Sequence, residues 1–151
     1  MTPAVRQQLL GEAKFMRAFF YFYLTNMYGN VPLATSTDWN INSLLSNMPS
    51  QQIYQQIITD LKDAESILST NYLDGTLLNS ISDRVRPTKW AAAALLARAY
   101  LFSGDYANAE STASVLINNT SLFTLSTSLN DVFLANSKGV YLAITADFSG
   151  A

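Results

Sequence analysis

The segment STDWNINS, residues 36–43, contains the residues with the clearest binding chemistry. Trp39 is flanked there by Asp38, Asn40 and Asn42. An indole ring beside amide and carboxylate groups suits a sugar, because sugar rings pack on flat aromatic rings while polar groups bind their hydroxyls. We take Trp39, Asn40 and Asn42 as a candidate ligand site. The alternative is that Trp39 packs over a pair of helices.

Residues that could catalyse a reaction are few. The chain has no cysteine and no histidine, which removes thiol catalysis, the commonest metal ligands and the usual general base. Two carboxylate pairs, Asp60 with Asp63 and Asp74 with Asp83, could supply acid and base groups for glycoside hydrolysis. Asp60 and Asp63 are three residues apart on a predicted helix, which favours a solvated surface. We expect no enzyme activity, no metal and no cofactor.

The composition indicates one folded domain. A chain of 151 residues with 49% hydrophobic and 13% charged residues can bury a core. The net charge of −2 includes no basic run, so we expect no nucleic-acid partner. The apolar run from Phe15 to Met27 contains Arg17 and is shorter than the roughly 20 residues that span a bilayer. No signal-peptide pattern precedes it, so the protein either is cytoplasmic or begins further upstream.

Four helices are predicted from apolar residues that recur every three or four positions. Their approximate bounds are 3–28, 50–69, 88–103 and 106–118, followed by an irregular, strand-like tail over 119–151. In the first helix, the spacing of Phe15, Phe19 and Phe22 indicates core residues rather than a stacking platform. Phe20 lies on a second apolar side, so we expect this helix to be covered from more than one direction. Trp90 is expected to pack at the start of the third helix.

The last two predicted helices have the small-residue pattern of a tetratricopeptide repeat. Ala97 and Ala109 would let the helices approach closely, and Gly104 would turn the chain. Tyr100 and Tyr106 would fill the gaps beside that contact. The first two helices repeat the pattern more weakly. The sequence therefore predicts an all-α fold of tetratricopeptide-like antiparallel helical hairpins, an alpha-alpha superhelix, within a single partial domain.

Arg17 and Arg98 occupy matching positions in the two predicted hairpins, within FMRAFFYF and LARAYLF. Each lies between apolar neighbours, where a charge is costly unless it is paired. We expect both guanidinium groups to be buried and to reach a carboxylate or the carbonyls of a helix end, with Glu12, Asp60 and Glu110 as candidate carboxylates. An anion or substrate clamp is the functional alternative.

The helical periodicity stops after residue 118. Leu122 to Leu125 and Val140 to Phe148 alternate between apolar and polar residues, which predicts two short strands near the C-terminus. Two short strands without partners do not make a stable sheet. We therefore expect this segment to belong to a longer protein.

Four blocks of the sequence resemble, in order and spacing, the SusD/RagB family of outer-membrane nutrient-binding lipoproteins of Bacteroidetes. The blocks are LLGEAKFMRAFFYFYLTNMYGNVPL, IYQQIITDLKDAESIL, RPTKWAAAALLARAYLFSGDYANAESTASVLIN and DVFLANSKG. The resemblance implies a surface-exposed subunit that binds glycans without catalysis and passes them to a TonB-dependent, SusC-like transporter. The signal and the anchoring cysteine would lie outside this chain, so membrane association would come only through that lipid anchor. No binding residue is carried over by motif, since sugar-contacting loops vary within the family.

Two classes of function remain open at this point. The first is an oligosaccharide- or polysaccharide-binding subunit of an outer-membrane uptake system. The second is a generic tetratricopeptide-like scaffold whose concave face binds a protein segment inside the cell. Helix faces that normally meet other segments would be exposed, so we also expect the chain to self-associate.

Overall fold

The part of the chain that the computed structural model describes, residues 1–125, 129–132 and 137–138, is mainly helical. The helices are α1 (Pro3–Tyr28), α2 (Trp39–Asn42), α3 (Ser50–Ile67), α4 (Lys89–Ser103), α5 (Tyr106–Ile117) and α6 (Leu129–Val132), and the strands are β1 (Val31–Pro32) and β2 (Asn47–Met48). The four long helices begin and end within two residues of their predicted bounds. The all-α prediction is confirmed.

The helix ends follow from particular residues. The hydroxyl of Thr2 accepts a hydrogen bond from the Val5 amide, and Pro3 occupies the first turn, where it costs no hydrogen bond. Gly104 ends α4 in the left-handed conformation, with φ 85°, which glycine adopts without a steric penalty. The carboxylate of Asp105 then accepts from the Asn108 amide and begins α5.

The long helices pack in chain order, α1 on α3, α3 on α4 and α4 on α5. This order gives two antiparallel hairpins joined through α3 and α4, as the repeat pattern predicts. The shared core is built from aromatic side chains of α1, branched aliphatic side chains of α3 and alanines of α4. Its buried members include Phe15, Ala18, Phe22, Ile53, Ile57, Leu61, Ala64, Ala92, Leu96 and Ala99.

Gly11 marks the closest approach of α1 to the end of α3. A methyl group added at this glycine would lie 2.8 Å from Cδ2 and 2.9 Å from Cγ of Leu68. It would also lie 3.0 Å from Cγ1 of Ile67. The missing side chain therefore lets the two helices pack at this point.

The predicted core residues Phe15, Phe22 and Tyr100 are confirmed as buried. Phe19 and Trp90 are partly buried and still contribute packing. The ring of Phe19 stacks on Phe15 at a centroid distance of 6.3 Å, and the indole nitrogen of Trp90 donates to the Thr70 carbonyl at 3.2 Å.

Two residues expected in the interior lie outside it. Tyr106 is 68% exposed, because it is the first residue of α5 and no described element covers that position. Arg98 is exposed as well, and its guanidinium lies over the rings of Phe22 and Phe102 at 5.3 and 5.8 Å rather than beside a carboxylate. An exposed cation over an aromatic face needs no buried counter-charge, so the predicted buried pair at Arg98 was wrong.

Only one apolar side of α1 is covered within the described residues. The side bearing Phe15 and Phe22 faces α3, whereas Phe20 on the other side is 56% exposed. The exposed apolar residues of α1 include Leu9, Met16, Phe20, Tyr23 and Met27. The expectation that this helix is covered from several directions does not hold for the described part of the chain.

Among the described residues, the short strands lie between α1 and α3. Val31 pairs with Met48 and Pro32 with Asn47 in an antiparallel ribbon. Leu122–Leu125 is irregular, although the Thr124 amide donates to the Lys138 carbonyl at 3.2 Å. The predicted strand Val140–Phe148 lies outside the described residues. A strand at Leu122–Leu125 was therefore a wrong prediction.

Candidate functional site

The candidate ligand residues lie on a loop that is closed at its base by the β1–β2 ribbon. We call residues 33–46 the Trp39 loop. The Tyr21 hydroxyl, projecting from α1, accepts from the Ala34 amide at 2.7 Å and donates to the Pro32 carbonyl at 3.3 Å. The side chain of Asn30 accepts from the Ser50 amide at 3.0 Å on the other side of the ribbon. The base of the loop is thus fixed to both α1 and α3.

A short helix organises the tip of the Trp39 loop. The Asp38 carboxylate accepts from the Asn40 amide at 2.9 Å and caps α2. This four-residue helix contains all three candidate residues, Trp39, Asn40 and Asn42. Trp39 is 72% exposed. The indole therefore does not pack over a helix pair within the described residues, which was the alternative to a binding role.

The two asparagines of α2 differ in what they can offer a ligand. Asn40 is exposed. The Asn42 side-chain nitrogen instead donates to the Ser36 carbonyl at 2.8 Å, and its side-chain oxygen is buried without a partner among the described residues. Asn40 is thus open to solvent, whereas the side chain of Asn42 is engaged within the loop.

A groove that the sequence did not predict lies beside the two ends of the Trp39 loop. Its volume is about 470 Å³, within the roughly 300–1,000 Å³ of ligand pockets. We call it the glutamine groove, and its lining residues are Leu33, Met48, Gln51, Gln52, Gln55, Gln56 and Thr59. The only sequence signal for it is the pair of doublets in QQIYQQ, which repeats after four residues and so puts all four amides on one helix surface.

One of the two carboxylate pairs considered for catalysis, Asp60 with Asp63, is engaged in ion pairs between α1 and α3. Arg17 donates to both oxygens of Asp60 at 2.6 and 2.7 Å, which confirms Asp60 among its candidate partners. The Arg17 side chain is only partly buried, so the predicted burial of this charge holds only in part. This hydrogen-bonded carboxylate raises the pKa of the Arg17 guanidinium. Lys14 pairs with Asp63 on the next turn. Asp60 and Asp63 therefore join two helices instead of forming an acid and base pair.

Glu12 and Asp74 are likewise bound within the chain. Arg86 donates to both carboxylate oxygens of Glu12 at 2.9 and 3.1 Å. Asp74 accepts from the side chains of Thr76 and Asn79 at 2.6 and 2.9 Å, and these hydrogen bonds hold its pKa far below its ordinary value of 3.8.

Two further properties of the described residues bear on function. They contain no group of three or more acidic side chains placed to hold a metal ion. In that same part of the chain, no helix combines the length and apolarity that crossing a bilayer requires.

The helix order and the exposed loop define a tetratricopeptide-like scaffold that carries an exposed aromatic residue on a loop and a glutamine-lined groove on α3. Residues 2–101 match the SusD-like family described as starch-binding associating with outer membrane. The chain belongs to this family, as the four sequence blocks suggested.

Similar proteins of known sequence or structure are much longer. The SusD-like protein P2 of Formosa agariphila is 34% identical over 117 residues, covering 76% of this chain and 21% of that protein. A laminarin-binding SusD-like protein superposes with a TM-score of 0.75 at 25% identity, covering 87% of this chain and 28% of that one. A crystal structure with xylogluco-oligosaccharide gives a TM-score of 0.76 at 28% identity, with coverages of 94% and 30%. This chain thus spans about a fifth of that Formosa relative.

Proposed function

We propose that this chain is part of a glycan-binding subunit of an outer-membrane polysaccharide uptake system, acting without catalysis. The family match over residues 2–101 carries the proposal. One of the similar structures is a laminarin-binding protein and another was determined with xylogluco-oligosaccharide, which supports a carbohydrate ligand here. The exposed Trp39 adds a side chain suited to that ligand.

In this proposal, the Trp39 loop contributes directly to glycan binding. The indole of Trp39 packs against a sugar ring, and the exposed amide of Asn40 binds a neighbouring hydroxyl. Asn42 holds the turn through its hydrogen bond to Ser36. Because the ribbon and Tyr21 fix the base of the loop, little ordering of the loop base is needed on binding.

The direct test is binding of this chain to a panel of polysaccharides by affinity gel electrophoresis and calorimetry. We expect at least one to bind, and Trp39→Ala to weaken that binding about tenfold or more, since aromatic contact supplies both area and geometry. Tyr106→Ala is the matched control, because Tyr106 is similarly exposed but lies on α5. Equal binding by Trp39→Ala and the parent would remove Trp39 from the site, and no binding to any glycan would contradict the function.

The transporter and the membrane anchor form a separate part of the proposal. We expect the protein to reside on the cell surface as a lipoprotein and to associate with a TonB-dependent, SusC-like transporter. Protease treatment of intact source cells should degrade it, and purification from detergent-solubilised outer membranes should recover the transporter with it. Protection from the protease, or recovery without a transporter, would contradict this part alone.

A further inference from the structure

The glutamine groove has the chemistry of a second glycan contact, and this inference rests on the proposed function. Gln51, Gln52, Gln55 and Gln56 occupy two successive turns of α3, and Thr59 follows one turn later. Each amide offers two donors and a carbonyl acceptor, while each sugar hydroxyl both donates and accepts. A row of amides at helical spacing can therefore bind hydroxyls along an extended sugar chain.

Most of these amides have no partner within the described residues. Gln56 donates to Asp60 at 3.1 Å, and the Thr59 hydroxyl donates to the Gln55 carbonyl. The side-chain amides of Gln51, Gln52 and Gln55 make no hydrogen bond to any other described residue. They remain available to a ligand at the surface of the groove.

Two apolar residues of the ribbon and its loop also line the groove. Leu33, partly buried, directly follows β1, and Met48, also partly buried, pairs with Val31 in the ribbon. Apolar side chains beside amides match a sugar, which has apolar ring faces and polar edges. The groove is also continuous in sequence with the loop that carries Trp39.

The charge around the groove restricts the class of glycan. None of its lining residues is charged, and the sequence contains no lysine or arginine between Arg17 and Lys62. The acidic residues in that interval are Asp38 and Asp60, and Arg17 is already paired with Asp60. Carboxylated or sulfated sugars are recognised through cationic side chains, so an anionic chain would find repulsion here and no counter-charge.

We propose that the glutamine groove is a subsite for a neutral, uncharged glycan chain, bound by Gln51, Gln52 and Gln55 alongside Trp39. The site therefore selects neutral polysaccharides over uronic-acid-containing or sulfated ones.

The test compares two polysaccharide panels and two glutamine variants of this chain. The neutral panel contains β-glucans, xyloglucan, mannan and xylan, and the anionic panel contains alginate, polygalacturonate and a sulfated galactan. We expect binding only to the neutral panel, and about tenfold weaker binding by the double variant Gln51→Ala/Gln55→Ala, from the loss of two hydrogen-bonding amides. Gln7→Ala, an exposed glutamine on α1, is the matched control. Circular dichroism verifies that each variant is folded.

The outcomes separate this inference from the proposed function. If a neutral glycan binds and Trp39→Ala weakens binding, but the double glutamine variant binds like the parent, the groove is not a glycan subsite and the proposed function stands. Binding of the anionic panel as tight as that of the neutral one overturns the selectivity. Absence of binding to every polysaccharide overturns the function and the groove together.

Discussion

Arg17 and Arg98 occupy matching positions in the two hairpins but differ in their surroundings. The Asp60 side chain that Arg17 binds is 2% exposed, and the Arg17 side chain is 30% exposed. Losing the guanidinium would leave a buried carboxylate without its counter-charge. Removing one partner of a buried ion pair destabilises a protein more than replacing both partners with apolar residues. Arg98 instead covers aromatic rings from the solvent side. The same sequence context therefore has two structural outcomes.

We predict that Arg17→Ala lowers the free energy of unfolding by about 3 kcal/mol, because Asp60 stays buried without its counter-charge. Arg98→Ala should cost about 0.5–1 kcal/mol, the usual size of an exposed cation–π contact. Urea denaturation of both variants measures the difference. Similar losses for the two would mean that the Arg17–Asp60 pair does not stabilise the contact between α1 and α3 as described.

The hydrogen bonds to Asp74 predict a pH effect confined to its turn. Because its pKa in the folded chain lies below the ordinary value of 3.8, the carboxylate stabilises the turn above that pH. The contribution is lost as the pH falls through the lowered pKa. Carboxyl chemical shifts across an acid titration should show Asp74 titrating well below pH 3.8. In Thr76→Ala, which removes the first donor, its pKa should rise towards the ordinary value, and an unchanged titration would contradict the assignment.

Predictions for single residues succeeded where the sequence offered a carboxylate that could pair with a charge. Arg17 lies in an apolar stretch, and the cost of an unpaired charge predicted a carboxylate partner, which is Asp60, one of the three candidates. Trp39 could be recognised as a candidate from its polar neighbours. Its exposure could not be predicted, because it depends on the β1–β2 pairing at the base of the loop. The groove could not be predicted, since it depends on Leu33 and Met48 coming close to glutamines of α3 whose sequence is typical of an ordinary solvated helix.

At the scale of elements, the contact at Gly11 gives a test of how α1 meets α3. Alanine normally stabilises a helix by about 1 kcal/mol relative to glycine. Here the added methyl would lie within 3 Å of Leu68, and overpacking typically costs about 1–3 kcal/mol. We predict that Gly11→Ala destabilises the chain by about 1 kcal/mol in thermal and urea unfolding. Unchanged or higher stability would contradict the close contact.

A double-mutant cycle isolates the steric origin of that loss. Leu68→Ala alone should destabilise by removing a buried side chain. Combined with Gly11→Ala, it should cost less than the sum of the single changes, because the alanine methyl then occupies part of the vacated space. Strict additivity would show that the two residues do not interact.

Helix bounds were more predictable than helix faces. Proline, glycine and capping residues set the bounds locally, as Pro3 and Gly104 show. The face was ambiguous in α4, which is apolar or small at almost every position, so its sequence does not indicate which side is covered. Arg98 was misplaced for that reason. Tyr106 was misplaced because a position at the start of a helix is buried only if another element reaches it.

At the scale of the whole molecule, the exposed apolar side of α1 predicts self-association. Contiguous apolar side chains in water favour contact with similar surfaces. We expect the weight-average mass of this chain to rise with concentration in analytical ultracentrifugation. The double variant Phe20→Ser/Met27→Ser should reduce that rise, while Tyr106→Ser, an exposed ring on α5, should not. A monomer at all concentrations would contradict the prediction.

The β1–β2 ribbon separates the Trp39 loop from the long helices on either side of it. Tyr21 holds the chain where residues 33–46 leave β1, and Asn30 ties the other end of the ribbon to the start of α3. Residues 33–46 therefore form a discrete insertion between two paired strands. A segment of different length from a related protein could be transplanted between Pro32 and Asn47 with the helices unaltered. Changes within these fourteen residues should therefore leave the helical framework intact, as is usual for variable loops on rigid supports.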